Sequence, residues 1–256
     1  MPSMLHKRMT NSEVLSIASR TGVLLLSGGA ESFRIEETVE YVGQALGSEV
    51  TCYVTLTAVI VSTTDGANSI VRKVRVSGLN LQTVDEVNDL SRKLVSKKID
   101  PNEYQTELLR ISKNVKDYPI LYKVASAGCV SMAPSLFSQA SVSQYILMFM
   151  IGMFGYSGYY FAKSRGTIPY SSEFVGGFVI GLIAVIANYW GLTDNATQVI
   201  FGAVMPLVPG LAITNAIREI IKGEAISGIV RALDAILVVS ALATGIAAAL
   251  EFVNFV

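Results

Sequence analysis

Hydrophobic residues follow two different patterns along the 256-residue chain. Up to about residue 118, apolar positions recur at helical or strand spacing among many charged residues, whereas from residue 119 onward they form long, nearly continuous runs. The charges divide at the same place, because 28 of the 40 Asp, Glu, Lys and Arg residues lie before residue 119. The pattern predicts an N-terminal soluble domain, 1–118, followed by a transmembrane domain, 119–256.

The soluble domain is predicted to be a small α+β unit with the element order ααββαα. A capping-box pattern, TNSE at 10–13, starts the first helix, and the Gly28-Gly29 pair ends it. Runs rich in β-branched residues favour two antiparallel strands, and Asp100-Pro101 starts the last helix. The other predicted helices lie at 31–46, 83–97 and 102–115, and the predicted strands at 49–62 and 69–77.

Five apolar segments of the transmembrane domain have roughly the length that crosses a bilayer, about 20 residues. The loops at 163–165 and 218–222 contain Lys and Arg, whereas the loops at 139–143 and 191–195 contain neither. Because cytoplasmic loops are enriched in Lys and Arg, we expect an α-helical polytopic protein of the cell (inner) membrane, with a cytoplasmic N-terminus and the C-terminus outside. The predicted spans are 119–138, 144–163, 172–190, 196–216 and 229–252.

Composition supports a membrane protein and argues against several other classes. The chain is 51% hydrophobic and 16% charged, and its formal net charge of zero offers nucleic acid no basic field. One histidine, His6, and two cysteines, Cys52 and Cys129, are too few for a zinc-type ligand set. Because the sequence also contains no catalytic or phosphate-binding motif, we expect no metal, no cofactor and no enzymatic activity.

The fourth predicted span is interrupted by the motif PLVPG, which contains Pro206, Pro209 and Gly210. Each proline lacks an N–H group, so the carbonyls of Gly202 and Met205 are expected to be freed at membrane depth. Interrupted helices of transporters bind ions and anions at such places. A helix that restarts after the break would direct its positive N-terminus toward a carboxylate, with the Asn215 amide beside it. The alternative is a kink that serves packing alone.

Three further polar residues are candidates for the transport pathway. Arg231 and Asp234 lie three residues apart near the start of the fifth span, and ionisable residues within spans face a pathway or a partner. Either they form a structural salt bridge, or they attract substrate and Asp234 carries a coupling proton. Asn188, at the end of the third span, is a candidate to line an exit.

Two charged groups of the soluble domain each have two interpretations. The first group, on one face of the second helix, either gates or docks onto the transmembrane domain or forms solvated ion pairs. The second group, on the second predicted strand, either contacts anionic lipid headgroups or forms a solvated sheet face. The first group is Glu31, Arg34 and Glu37, and the second is Arg72, Lys73 and Arg75.

Two motifs resemble those of the threonine/serine exporter family: GGAESFRIEETVEYV at 28–42, and PLVPGLAITNAIREIIKGEAISGIVRALDAIL at 206–237. They occur in the family's order, and the resemblance covers nearly the whole chain. For members of this family that carry both membrane halves on one chain, the resemblance implies about ten spans. A chain of five spans is similar to the larger component of the split, two-protein exporters, including the half known from bacterial succinate export. The residues that match the family motifs are Gly29, Glu31, Arg34, Pro206, Pro209, Gly210, Asn215 and Arg218.

The resemblance implies a subunit of a secondary transporter that exports a small carboxylate metabolite, either a threonine/serine-type amino acid or a dicarboxylate such as succinate. It also implies a shorter membrane-protein partner that supplies the second half of an oligomeric transporter. The absence of a nucleotide-binding motif favours coupling to protons. The alternative function is a membrane-anchored sensor or assembly protein that acts through its cytosolic domain.

Overall fold

The computed structural model describes residues 9–74, 79–114, 118–137, 140–166 and 168–255. The described chain is mostly helical and divides into two compact units. The first unit comprises the described residues up to 114 together with Thr214–Arg231, and the second comprises those from 118 to 213 and from 232 onward. The first unit therefore includes Thr214–Arg231, a segment that lies outside the soluble domain, 1–118, predicted from the sequence.

Four helices of the first unit begin and end close to the predicted positions. The predicted capping box at Thr10 is confirmed, because the Thr10 hydroxyl accepts from the Glu13 N–H and the Glu13 carboxylate accepts from the Thr10 N–H. Asp100 caps the fourth helix, which has Pro101 in its first turn. The helices are α1 (Asn11–Ser27), α2 (Ser32–Ala45), α3 (Leu81–Val95) and α4 (Pro101–Lys113).

The sheet has three strands, so the predicted order ααββαα is wrong. The first predicted strand, 49–62, folds back at Leu56 and Thr57 and forms a hairpin. The sequence does not indicate this turn, because neither residue is a Gly, Pro, Asn or Asp. The antiparallel sheet has the order β1-β2-β3, with β1 at Val50–Thr55, β2 at Ala58–Thr63 and β3 at Ser69–Lys73. The predicted end of the last strand, including Arg75, lies outside the described residues, as does His6.

Helices and sheet of the first unit share one apolar core. Alternate residues of β1 and β2, including Val54, Val59 and Val61, are fully buried, as a sheet with one covered face requires. Gly22 of α1 allows close packing, because a Cβ at this position would lie 2.8 Å from a Val59 methyl group. Tyr104 is also buried, and its hydroxyl is hydrogen-bonded to Thr21 at 2.8 Å.

The second unit is built from helices α5 (Ile120–Ser131), α6 (Val142–Arg165), α7 (Ser171–Tyr189) and α8 (Ala196–Val204). It also contains the start of α9 (Gly210–Ile221) and most of α10 (Ala225–Phe255). Short 3₁₀ turns follow α5, at Ala133–Phe137, and α8, at Met205–Leu207.

Three apolar helical segments of the described chain are long enough to cross a membrane: Ile120–Phe137, Ser171–Tyr189 and Ala225–Val253. A bent pair, Ala196–Leu207 with Gly210–Ile221, makes a fourth if it counts as one span, and its two halves meet at 65°. Helix α6 covers the predicted second span, but its glycines and tyrosines make it less apolar than these segments. The predicted number of five spans, and their orientation, stay predictions.

Small residues let α7 and α10 approach closely. A Cβ at Gly177 would meet the carbonyl oxygen of Leu242, and one at Gly245 would meet that of Phe174. One turn along α7, a Cβ at Gly181 would lie 3.0 Å from the Ala249 methyl group. The GxxxG pair at 177 and 181 is therefore a helix-packing feature.

Candidate functional site

Glu219, in α9, is a fully buried carboxylate that binds the N-terminus of α2. Its Oε1 accepts hydrogen bonds from the backbone N–H and the hydroxyl of Ser32, each at 3.0 Å. Ser32 is the first residue of α2, and the side chain of the N-cap residue, Glu31, makes no capping bond. Glu219 therefore replaces a local cap from 187 residues away, and its negative charge lies at the positive end of the helix.

Arg231, near the start of α10, neutralises Glu219 through two hydrogen bonds. Its Nη2 donates to Glu219 Oε1 at 2.9 Å, and its Nε donates to Oε2 at 3.1 Å. The Arg231 side chain is itself only 11% exposed. A charge that is removed from water needs both a counter-ion and hydrogen bonds, and both oxygens of Glu219 are satisfied in this way.

Glu31 forms a second ion-pair group beside the first. Its Oε2 lies 2.6 Å from the Nε of Arg34, one turn along α2, and its Oε1 contacts the guanidinium of Arg218 in α9. The carboxylate is 6% exposed, whereas both arginine side chains are more than half exposed. One buried negative charge is therefore shared by two cations that lie at the surface.

Asn215 connects α9 to the turn that follows α1. Its side chain is 9% exposed, and its Nδ2 lies 3.5 Å from the carbonyl oxygen of Gly29. Gly29 ends the first helix with a φ of +88°, a left-handed conformation that favours glycine. The motifs at 28–42 and 206–237 are therefore joined by a side-chain-to-backbone contact as well as by the ion pair of Glu31 and Arg218.

Six of the eleven predicted site residues converge in the first unit. They come from both ends of the chain, because the pairs Glu31–Arg218 and Asn215–Gly29 join residues 187 and 186 positions apart. Sequence reasoning missed Ser32 and Glu219, although an acidic residue within the apolar run of α9 is a signal for a buried ion pair. The six residues are Gly29, Glu31, Arg34, Asn215, Arg218 and Arg231.

The proline break lies in the second unit and differs from the prediction. The carbonyls of Gly202 and Met205 are not freed, because the first accepts from the N–H of Met205 and the second from the N–H of Val208, at 3.3 Å. The 3₁₀ turn at Met205–Leu207 shifts the bonding from i+4 to i+3 and so compensates for the missing proline donors. The predicted restart of the helix at Gly210 is confirmed.

Asp234 and Asn188 also lie in the second unit. Of the two alternatives for Arg231 and Asp234, the salt bridge between them is wrong, since Arg231 binds Glu219 instead. Asp234 accepts a hydrogen bond from the Tyr170 hydroxyl at 2.9 Å. Asn188 is exposed near the end of α7, where its backbone carbonyl accepts from the N–H of Gly191 at 3.0 Å.

Outside this cluster, Arg72 of β3 has a contact within the first unit. The Nε of Arg72 donates to the Ser19 hydroxyl of α1 at 3.3 Å. Among the described residues, no group of three or more His, Cys, Asp or Glu side chains has an arrangement that could hold a metal ion.

Comparison with known protein families gives one match over almost the whole chain. The model of the threonine/serine exporter family matches residues 16–253. The comparisons found no significantly similar curated protein and no significantly similar solved structure. The match includes both motifs whose residues meet in the first unit, and the apolar helices are those of a membrane protein. The chain therefore belongs to the threonine/serine exporter family.

Proposed function

We propose that this chain is one subunit of a secondary transporter that exports a small carboxylate metabolite across the cell membrane, driven by protons. The substrate class comprises threonine/serine-type amino acids and dicarboxylates such as succinate. Family membership supports export as the activity. In this proposal the chain lies in the inner membrane with five spans, a cytoplasmic N-terminus and an external C-terminus, and a shorter membrane protein supplies the second half.

One observation carries the assignment of the site: the two family motifs form a single ion-pair cluster. Glu31 of the first motif pairs with Arg218 of the second, and Gly29 accepts from Asn215. A ligand or a proton that competes for one of these charged contacts would bias the cluster toward an open arrangement. The cluster is therefore suited to opening and closing during transport.

The predicted residues take the following roles in this proposal. Gly29, Glu31 and Arg34 form the gate, and Asn215, Arg218 and Arg231 supply donors for the substrate carboxylate. Asp234 carries the coupling proton and Asn188 lines the exit. The break at Pro206, Pro209 and Gly210 lets the fourth span bend. No finding supports the alternative of a sensor or assembly protein.

Efflux from cells that produce the chain together with its membrane partner tests the assignment. We expect Asn215→Ala and Pro209→Ala to reduce efflux strongly while each protein still reaches the membrane. Glu37→Gln is the matched control, because Glu37 is exposed on α2 and takes no part in the described cluster. Unchanged efflux in both variants, at wild-type protein level, would exclude these residues from the site.

A further inference from the structure

Strand β1 lies at the edge of the sheet, and two glutamates of α2 bind its free N–H groups. Glu36 Oε1 accepts from the N–H of Val54 at 2.8 Å, and Glu40 Oε1 accepts from the N–H of Cys52 at 3.2 Å. The spacing matches, because four residues of a helix and two residues of a strand both advance by roughly 6 to 7 Å. The two carboxylates therefore replace the neighbouring strand that this edge lacks.

The same strand is also held from α10. The hydroxyl of Ser227, a residue that is 4% exposed, donates to the carbonyl oxygen of Val54 at 3.3 Å. Val54 is thus bound through its N–H by α2 and through its carbonyl by the first turn of α10. This contact and the Arg231–Glu219 pair both join residues 224–231 to the rest of the first unit.

Glu36 lies among carboxylates. Its pKa is raised to about 7, chiefly by burial and also by repulsion from Glu224, Glu40 and Glu219, against the opposite effect of the Val54 hydrogen bond. These groups face Glu36 from the α9–α10 connection, from α2 itself and from α9. Of the cations near them along the chain, Arg218 pairs with Glu31, Lys222 lies over the Phe33 ring, and Arg231 already neutralises Glu219.

The thiol of Cys52, on the same strand, does not ionise near neutral pH. Burial, with repulsion from Glu36 and Glu40, raises the pKa of the Cys52 thiol to about 12. Ionisation of Glu36, and not of Cys52, therefore changes the charge at this edge near neutrality.

We propose that Glu36 is a proton-binding site of the first unit, and that its protonation controls how firmly residues 224–231 are held at the edge of β1. The inference goes beyond the proposed function and stands whether or not the chain exports a metabolite. Protonated Glu36 is neutral, and its carbonyl oxygen still accepts from Val54. Ionised Glu36 repels Glu224, which lies in this segment, and Glu219, which holds the segment through Arg231, so the segment is loosened. This segment includes the first two turns of the long apolar helix α10, so pH acts on the start of that helix.

Hydrogen exchange of the full-length protein in lipid nanodiscs, measured by mass spectrometry at pH 6 and pH 8, tests the proposal. After correction for the intrinsic exchange rate, we expect peptides covering 224–231 to exchange several-fold faster at pH 8 in the wild type. Glu36→Gln mimics the protonated form and should stay protected at both values, whereas Glu37→Gln should behave as the wild type. The same pH dependence in Glu36→Gln as in the wild type, or no pH dependence in the wild type, overturns the proposal.

A second variant keeps the test decisive if Glu36→Gln does not fold. Glu40→Gln retains an oxygen for the Cys52 N–H but removes one of the charges that repel ionised Glu36. We expect the midpoint of the pH-dependent exchange to move to lower pH. An unchanged midpoint contradicts the electrostatic origin of the effect. Because neither experiment measures transport, failure here is distinguishable from failure of the proposed export.

Discussion

Glu219 and Arg231 form a two-bonded ion pair in which the carboxylate is completely buried. The same carboxylate caps α2 through Ser32, so one side chain connects α2, α9 and α10. Removing two charges from water is costly, and the pair is stable only while every partner is present. The contacts of Glu219 with Ser32 and Arg231 should therefore form and break together, which is the property that the proposed gate needs.

Arg231→Met should destabilise the first unit by about 3–5 kcal/mol, because it leaves the Glu219 charge buried and unpaired. Adding Glu219→Gln should recover much of this loss, since the amide oxygen still accepts from Ser32 and no charge remains. Thermal unfolding of the purified protein in detergent measures both effects. Equal unfolding temperatures for Arg231→Met and the wild type would show that the pair does not hold the unit together.

Arg34 and Arg218 should substitute for one another as partners of Glu31. Each is exposed, so Arg34→Ala or Arg218→Ala alone should cost no more than about 1 kcal/mol. The double variant leaves the buried Glu31 carboxylate without a counter-ion and should cost clearly more than the sum. A double-mutant cycle on the unfolding free energy measures the coupling. Strictly additive losses would contradict a shared carboxylate.

Two glycines of the second unit should respond differently to alanine. In Gly177→Ala the new methyl group meets the Leu242 backbone, so we expect a lower unfolding temperature. A Cβ at Gly210 has no atom within 4 Å among the described neighbours, so Gly210→Ala should fold at least as stably as the wild type. If Gly210→Ala also loses efflux while remaining stable, the motif glycine is required for transport rather than for folding. A strongly destabilised Gly210→Ala would contradict the open surroundings of this residue.

The stability of the first unit should fall as the pH rises from about 4.5 to about 7. The ordinary pKa of Glu36, 4.5, applies to the unfolded chain, and about 7 applies to the folded one, so the folded state holds more protons in this window. The contribution of Glu36 to the free energy of unfolding is complete below about pH 4.5 and is lost as the pH rises through about 7. Unfolding curves of the wild type and Glu36→Gln at several pH values measure it. Equal slopes in the two proteins would exclude Glu36 as the group responsible.

Local signals in the sequence predicted much of the fold. The Thr10 capping box, the Asp100-Pro101 start and the restart at Gly210 are confirmed because caps and breakers act on the residues next to them. The turn at Leu56 and Thr57 was missed because it contains no residue typical of turns. The sheet forms it through pairing and burial, which local propensity does not report.

The sequence singled out six residues of the cluster but missed Ser32 and Glu219, and it did not predict the contacts. Spacing suggested Arg231 with Asp234, since sequence patterns report only neighbours along a helix. The structure pairs Arg231 with Glu219 across the α9–α10 turn and brings Glu31 to Arg218. Such partners depend on how distant elements pack, and periodicity contains no information about that.

Transport by purified protein in liposomes tests the central claim most directly. The chain and its shorter membrane partner would be reconstituted separately and together, and the movement of labelled threonine, serine and succinate measured with an imposed proton gradient. We predict that the pair transports at least one of these substrates, that neither protein does so alone, and that collapsing the gradient stops transport. A folded, assembled pair that moves none of the three, with the gradient intact, would contradict the proposal that this chain is a subunit of a proton-driven carboxylate exporter.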